Sequence, residues 1–323
     1  MGDGFMQKIG QQLSRPVKGM LLAIFASSSW GFSGALQQFV SQTETIPAGW
    51  FLSARTTFTG LILLTACAVI YRGKIFNVFK SWRSIAWLIA YGLLGLAANM
   101  GSFYVAIQQG GANGASSATI LQYLAPLFIL LGAFLFQHKK PLKIDLIVFL
   151  IALLGVFLSV TRGNIHELSI PIISLVMGIV SGITAACYVV LPKEIGRDNP
   201  PMVILGWGTL IASVAFNLHQ PVWVDVPHLS TGGILGIAGI IFFGTILTFP
   251  SVIYATRYTD SATISLIDAI QPVITFVISI FWFQADISWP EIIGAVLIIV
   301  AIYILQAAQR HPERLNNKSS GEV

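Results

Sequence analysis

Charged residues are scarce in this chain: 18 Lys and Arg and 13 Asp and Glu among 323 residues, 10% of the total, against 55% hydrophobic residues. Soluble globular domains carry about 25% charged residues, so that class is excluded. Cysteine is nearly absent. Cys67 and Cys187 both fall in apolar runs, where each packs as a small hydrophobe and carries no information on redox compartment. No two of the five histidines (His138, His166, His219, His228, His311) have metal-ligand spacing, and HExxH, a Walker lysine and a phosphate-cradling glycine loop are missing. No polar connection is long enough to fold into a catalytic or ATP-driving domain. The chain reads as a non-enzyme that needs no cofactor, and any transport by it would be driven by a gradient, with protons as the candidate coupling ion.

What the sequence does contain is apolar segments of the ~20 residues needed to cross ~30 Å of hydrocarbon. There are ten: Val17 to Val40, Pro47 to Tyr71, Ser84 to Gln108, Ala112 to Gln137, Leu142 to Val160, Pro171 to Leu191, Pro200 to Leu218, Gly232 to Thr256, Ser261 to Phe283 and Pro290 to Gln309. A cleavable signal peptide explains the first poorly, because it is long, serine-rich and followed by nine more. Trp50, Trp82, Trp223, Trp282 and Trp289 lie near segment ends, where an indole suits the headgroups, and Trp30 lies mid-span.

The net charge of +5 could suggest a nucleic-acid partner. The positions of the charges argue for topology instead. With the N-terminus in the cytoplasm, sixteen Lys and Arg fall on the cytoplasmic side and only Arg162 on the other. That asymmetry predicts a multi-pass protein of a plasma or inner membrane with both termini cytoplasmic.

Two stretches share one pattern, SSATILQYLAPLFILLGAFLFQ at 116–137 and SATISLIDAIQPVITFVISIFWFQ at 261–284. Each has small polar residues, a proline (Pro126, Pro272) and an apolar half ending in Phe-Gln, and Gln122 aligns with Asp268. The chain thus divides into a tail at 1–16, five spans at 17–160, five at 171–309 and a tail at 310–323. An odd number of spans per half forces the halves into opposite orientations, an inverted repeat of the kind that underlies many secondary transporters.

Trp30-Gly31 in the first span, Pro47 followed by Arg55 in the second, SATISLIDAIQP in the ninth and the count of ten resemble the EamA family of the drug/metabolite transporter superfamily, over residues 17 to 307. The resemblance implies an all-α bundle around a central cavity lined mainly by the first, third, fourth, sixth, eighth and ninth helices. It also implies a small-molecule substrate, commonly an amino acid, related metabolite or toxic compound that is exported. One departure is AIQQGGANGASSATILQYLAP at 106–126, which is longer than the family's usual spacing and rich in glycine, so it reads as a looser outer turn or an unwound helix start.

Asp268 and Arg55 are charges expected deep within spans, each about 12 Å from its helix start at 1.5 Å per residue, and so near one midplane. Three readings compete. They form a buried Arg-Asp bridge; or Asp268 receives an ammonium group of the substrate, Arg55 a carboxylate, or both do so; or the Asp268 carboxyl exchanges a proton in alternation with substrate. Pro126 and Pro272 bend or loosen their helices, as hinges or as packing kinks. Gln122, Tyr123 and Gln271 lie in the turns before them, where freed carbonyls could face a cavity. Trp30, Tyr104, Tyr188 and Tyr254 are candidate cavity aromatics, and Asn99 with Ser102 projects polar groups from the third helix. The glycines of GGILGIAGIIFFG and the Gly178-Gly182 spacing read as helix-packing surfaces, with a homodimer as the lesser alternative. The expected function is export of small amphiphilic metabolites by alternating access. Against it stand an importer or uncoupled facilitator of the same fold, and a non-transporting receptor or assembly component. The bilayer is a certain partner, and an ATPase domain is not expected.

Overall fold

The computed structural model describes residues 15–138, 143–164, 168–196, 199–259, 263–264 and 267–310, and every regular element among them is a helix. With no water in the hydrocarbon to satisfy exposed N–H and C=O groups, an apolar chain of this kind must close its backbone bonds within each segment. The membrane-crossing helices are α1 (Arg15–Thr43), α2 (Ala48–Tyr71), α3 (Trp82–Gln109), α4 (Gly111–Gln137), α5 (Lys143–Thr161), α6 (Ile172–Val190), α7 (Pro201–His219), α8 (Thr231–Ala255), α9 (Ile270–Phe283) and α10 (Trp289–Arg310). Eight are long and apolar enough to span a bilayer by themselves; α9 and the apolar part of α10 are shorter. Pro47, Pro171 and Pro200 stand immediately before α2, α6 and α7, where a missing N–H costs no helical bond.

The helices pack in a pattern that repeats between halves. The first helix of each half leaves its own half: α1 lies against α8 and α9, and α6 lies against α3 and α4. Helices of equal rank pair across the middle, α2 with α7 and α5 with α10. Local details repeat as well. Left-handed residues cap α4 and α9 at matching places, His138 (φ 53°) and Gln284 (φ 49°). Both third helices carry a turn wound to π register, Tyr91–Ala97 in α3 and Phe242–Ile246 in α8. Both fifth helices bury an acid in the first turn, Asp145 in α5 and Glu291 in α10.

Ser261 to Phe283 was expected as one span, bent or loosened by Pro272, with Asp268 at its centre. The described helix begins at Ile270, and Asp268 and Ala269 precede it in a turn; residues 260–262 and 265–266 of that span lie outside the described set. The physical reason is Pro272, which has no N–H to offer the carbonyl four residues back, that of Asp268. Helix α4 breaks at the matching place, Tyr123–Leu124, just before Pro126. Of the two readings of the glycine-rich departure the structure has the turn: Gly111 stands at φ 60°, Gly111–Asn113 wind tightly, and α4 is helical from Gly114. Gln38 of α1 clamps the turn, donating to Ala112 O at 2.8 Å and accepting from Ala115 N at 2.7 Å.

Candidate functional site

The site is organised by one face of α1. Ser27, Trp30, Gly34 and Gln37 recur at intervals of three or four residues, so they lie in one stripe along the helix. Ser27 Oγ donates to Asp268 Oδ1 at 3.0 Å, and Trp30 Nε1 donates to Gly244 O at 3.1 Å, inside the π turn of α8. Trp30 also meets Phe249 edge to face, with ring centroids 5.5 Å apart. The backbones of α1 and α9 come so close at Gly31 that a Cβ there would lie 2.7 Å from Gln271 O. No side chain fits at that crossing.

At the break before α9 the freed carbonyl of Asp268 is claimed twice. Gln271 N–H donates to it at 3.0 Å, and the Tyr123 hydroxyl reaches across from the break in α4 and donates as well. The two broken helices are therefore strapped to each other. In the first half the same joint is built without charge. Gln122, aligned with Asp268, donates from Nε2 to Ser181 Oγ of α6 at 2.9 Å, and Asn99 of α3 donates to Ser181 O at 2.9 Å and Thr184 Oγ1 at 3.3 Å. Each joint thus sets the turn before a proline against a serine on the first helix of the opposite half.

Arg55 is 7% exposed and its Nη1 donates to Gln37 Oε1 at 2.8 Å. Its Nε has no acceptor, and neither has the hydroxyl of buried Tyr104 beside it, whose ring stacks on Phe51 with centroids 4.2 Å apart. The expected Arg55-Asp268 bridge is not formed: the ion pairs among the described residues are Arg83–Glu194, Arg162–Asp286 and Arg162–Glu291. Nor do the two charges share a depth. Their partners on α1, Ser27 and Gln37, are ten residues apart, about 15 Å along the axis. Side chains on a helix lean toward its N-terminus, which for α2 is the end nearer Gln37, so the guanidinium sits farther along than its Cα. Asp268 lies near the middle of α1, at Ser27, and Arg55 about two to three turns beyond, between the levels of Ser33 and Gln37.

Other expected residues are distributed less centrally. Tyr188 packs against Tyr91 and Phe249, with centroids 5.8 and 6.4 Å away. Tyr254 is 50% exposed with the Arg257 guanidinium 5.0 Å over its ring, so it stands apart from the group. Ser102 bonds its own helix at Ala98 O, 2.7 Å. An apolar crevice of about 520 Å³ runs between α2, α3, α6 and α7, lined by Leu52, Ala98, Gly101, Met177 and Phe216, and none of the charged residues faces it.

Sequence reasoning missed Ser27, Gln37 and Ser181, although the spacing of polar residues along α1 offered a signal. It also missed Glu291. That acid accepts from Ser288 N–H at 2.6 Å and Oγ at 3.0 Å and from Asn113 Nδ2 at 3.3 Å, and Arg162 Nε stands 3.2 Å away as an ion pair without hydrogen-bond alignment. The Ser-Trp-Pro-Glu run at 288–291 is a capping box readable in the sequence.

Comparison with known proteins agrees with this geometry. The YicL protein of Salmonella typhimurium, named an uncharacterized inner membrane transporter, is 26% identical over 300 residues, covering 92% of this chain and 98% of that protein. YrdR of Bacillus subtilis, named an uncharacterized transporter, is 22% identical over 90% of this chain and 92% of its own length. A probable sugar phosphate/phosphate translocator of Arabidopsis thaliana is 25% identical over 57% of this chain and 47% of its own. A crystal structure titled only as that of a protein shares the fold, with a TM-score of 0.61 at 16% identity over 90% of this chain and 98% of that one. The sequence profile described as the EamA-like transporter family matches twice, over residues 17–161 and 172–306. This multi-pass membrane protein therefore belongs to the EamA-like transporter family.

Proposed function

We propose that the chain is a secondary-active transporter that exports small amphiphilic metabolites, amino acids or related solutes, by alternating access. In this reading the two halves rock about the joints between their broken helices, and Asp268 either receives a cationic group of the substrate or exchanges a proton in alternation with it. The observation that carries the reading is the comparison of the two joints. Gln122 builds its joint with Ser181 as a neutral amide, so the joint at Asp268 and Ser27 needs an acceptor but no charge. A carboxylate in hydrocarbon costs roughly 2.5 to 3.5 kcal/mol on insertion scales, and its retention where an amide suffices points to transport. The multi-pass architecture and the inner membrane relative support residence in a plasma or inner membrane, and the distribution of Lys and Arg supports cytoplasmic termini.

The test is an untargeted comparison of metabolites released by cells carrying empty vector, wild-type protein or Asp268→Asn, matched for the amount in the membrane. The expected result is a compound enriched outside only with the wild type. A compound depleted from the medium only with the wild type would reverse the direction, and equal release by wild type and Asp268→Asn would remove the carboxylate from the mechanism.

A further inference from the structure

Arg55 presents a second problem that the joint at Asp268 does not answer. A guanidinium has five donors in a fixed fork and stays protonated in proteins. Here one donor is accounted for by the neutral amide oxygen of Gln37, Nε is buried without an acceptor, and the group is not in any of the ion pairs among the described residues. The Tyr104 hydroxyl beside it is a second buried donor left unused. The opposite wall is the π turn of α8. Gly244 there packs tightly on α1, where a Cβ would collide with Ser33 Oγ, and it lies in ordinary contact with Arg55, 3.6 Å from such a Cβ to Nη2. A π turn and a glycine are ways to let backbone approach a functional group closely.

The second half carries no equivalent cation. Counting from the capping prolines Pro47 and Pro200 places Gly208 opposite Arg55, and α7 contains no Lys or Arg. The packing of α2 against α7 and of both against the third helices is therefore compatible with a neutral residue at this rank. Buried cations without a counter-charge persist where something else supplies the charge.

We propose that Arg55, with the Tyr104 hydroxyl and Gln37, is the subsite for an oxyanion of the substrate, a carboxylate or a phosphate. The group would accept from Nε and from Tyr104 Oη once the halves part, replacing with a full negative charge the acceptor these donors lack. The inference rests on the transporter reading and names the chemistry of its substrate: one end of the solute is anionic and lies beyond Asp268, about two to three helical turns away along α1.

The test uses purified full-length protein in detergent and reads thermal unfolding. Arg55→Met keeps an unbranched side chain of similar reach without the charge. If the guanidinium is uncompensated in the empty protein, this variant melts at or above the wild-type temperature. In the wild type, millimolar leucine is compared with leucinamide, which lacks the carboxylate, and glucose 6-phosphate with glucose. The expected result is a rise in melting temperature with the member of one pair that carries the oxyanion, none with the partner that lacks it, and loss of that rise in Arg55→Met. The member that acts separates carboxylate from phosphate. A clear drop in the melting temperature of Arg55→Met would make the residue a structural brace, and no shift with either oxyanion, or equal shifts in wild type and variant, would also overturn the proposal. Binding lost in Arg55→Met without any metabolite released in cells would instead retain the subsite and sink the export reading.

Discussion

A carboxylate and an amide placed at equivalent turns let one position be judged against the other. Gln122 is held by Ser181 and lies 3.4 Å from Asn99 Oδ1, in a network whose members would be left buried and unpaired by its loss. Gln122→Leu is therefore expected to lower stability by about 1–2 kcal/mol, the cost of stranding buried polar groups. That is roughly 2–4 °C in melting temperature, while flux per folded molecule changes little. Asp268→Asn keeps an oxygen for Ser27, so its melting temperature stays close to that of the wild type while transport falls by about a hundredfold, the scale of a lost charged contact. Thermal unfolding and uptake or release measured on the same preparations check the pair, and the opposite pattern would exchange their roles. Asp268, Gln122 and Arg55 were legible in the sequence because polar groups are rare in an apolar run. Their partners were not. Serines in membrane helices commonly bond their own backbone, as Ser102 does at Ala98 O, and nothing in Ser27 or Ser181 announces a partner on another helix. The place of Tyr254, apart from the group, was not legible either, since an aromatic near a helix end serves a membrane boundary as well as a cavity.

Each proline turns a single helix into two pieces, and what the freed carbonyl then binds decides how the pieces move. At the α9 break the carbonyl of Asp268 takes the Tyr123 hydroxyl from α4. Pro272→Ala restores an N–H able to reach that carbonyl, so the helix is expected to run through the break in competition with the strap. Melting temperature should stay close to that of the wild type, because the regained N–H bond offsets the roughly 0.4–1 kcal/mol lost when the unfolded chain is freed of its proline. Transport should fall about tenfold, a barrier change of about 1.4 kcal/mol. Tyr123→Phe alone should cost about 1 kcal/mol, and less than that in the Pro272→Ala background, where the new N–H substitutes for the hydroxyl. Equal costs in both backgrounds would show that strap and break are independent. The prolines made the breaks readable, but they do not fix the residue at which α9 starts. The π turns of α3 and α8 also escaped notice; the one in α3 lies against α6, where a Cβ at Gly95 would stand 3.1 Å from the Tyr188 backbone.

The whole molecule is two five-helix halves that exchange their first helices, and this exchange explains why both joints bridge the halves. Counting spans and charges revealed five plus five, whereas no single sequence states which helices touch, so the placement of α1 on α8 and α9 came only from the structure. Orientation in the membrane follows from charge. Sixteen basic residues on one side against Arg162 on the other predict that the α2–α3 connection faces the cytoplasm and the α7–α8 connection faces outward. Gly73 and Val226 test this directly. A Cβ at Gly73 meets nothing within 4 Å, and Val226 is 58% exposed, so a cysteine at either should leave the packing intact. In a background with Cys67 and Cys187 replaced, Val226→Cys is expected to react with a membrane-impermeant maleimide in intact cells, and Gly73→Cys only after permeabilisation. Arg55, reached from the outer end of α2, then belongs to the outward half of the pathway, and the middle of α1 places Asp268 deeper. The reverse labelling would turn the molecule over, so that a solute leaving the cell would meet Arg55 before Asp268.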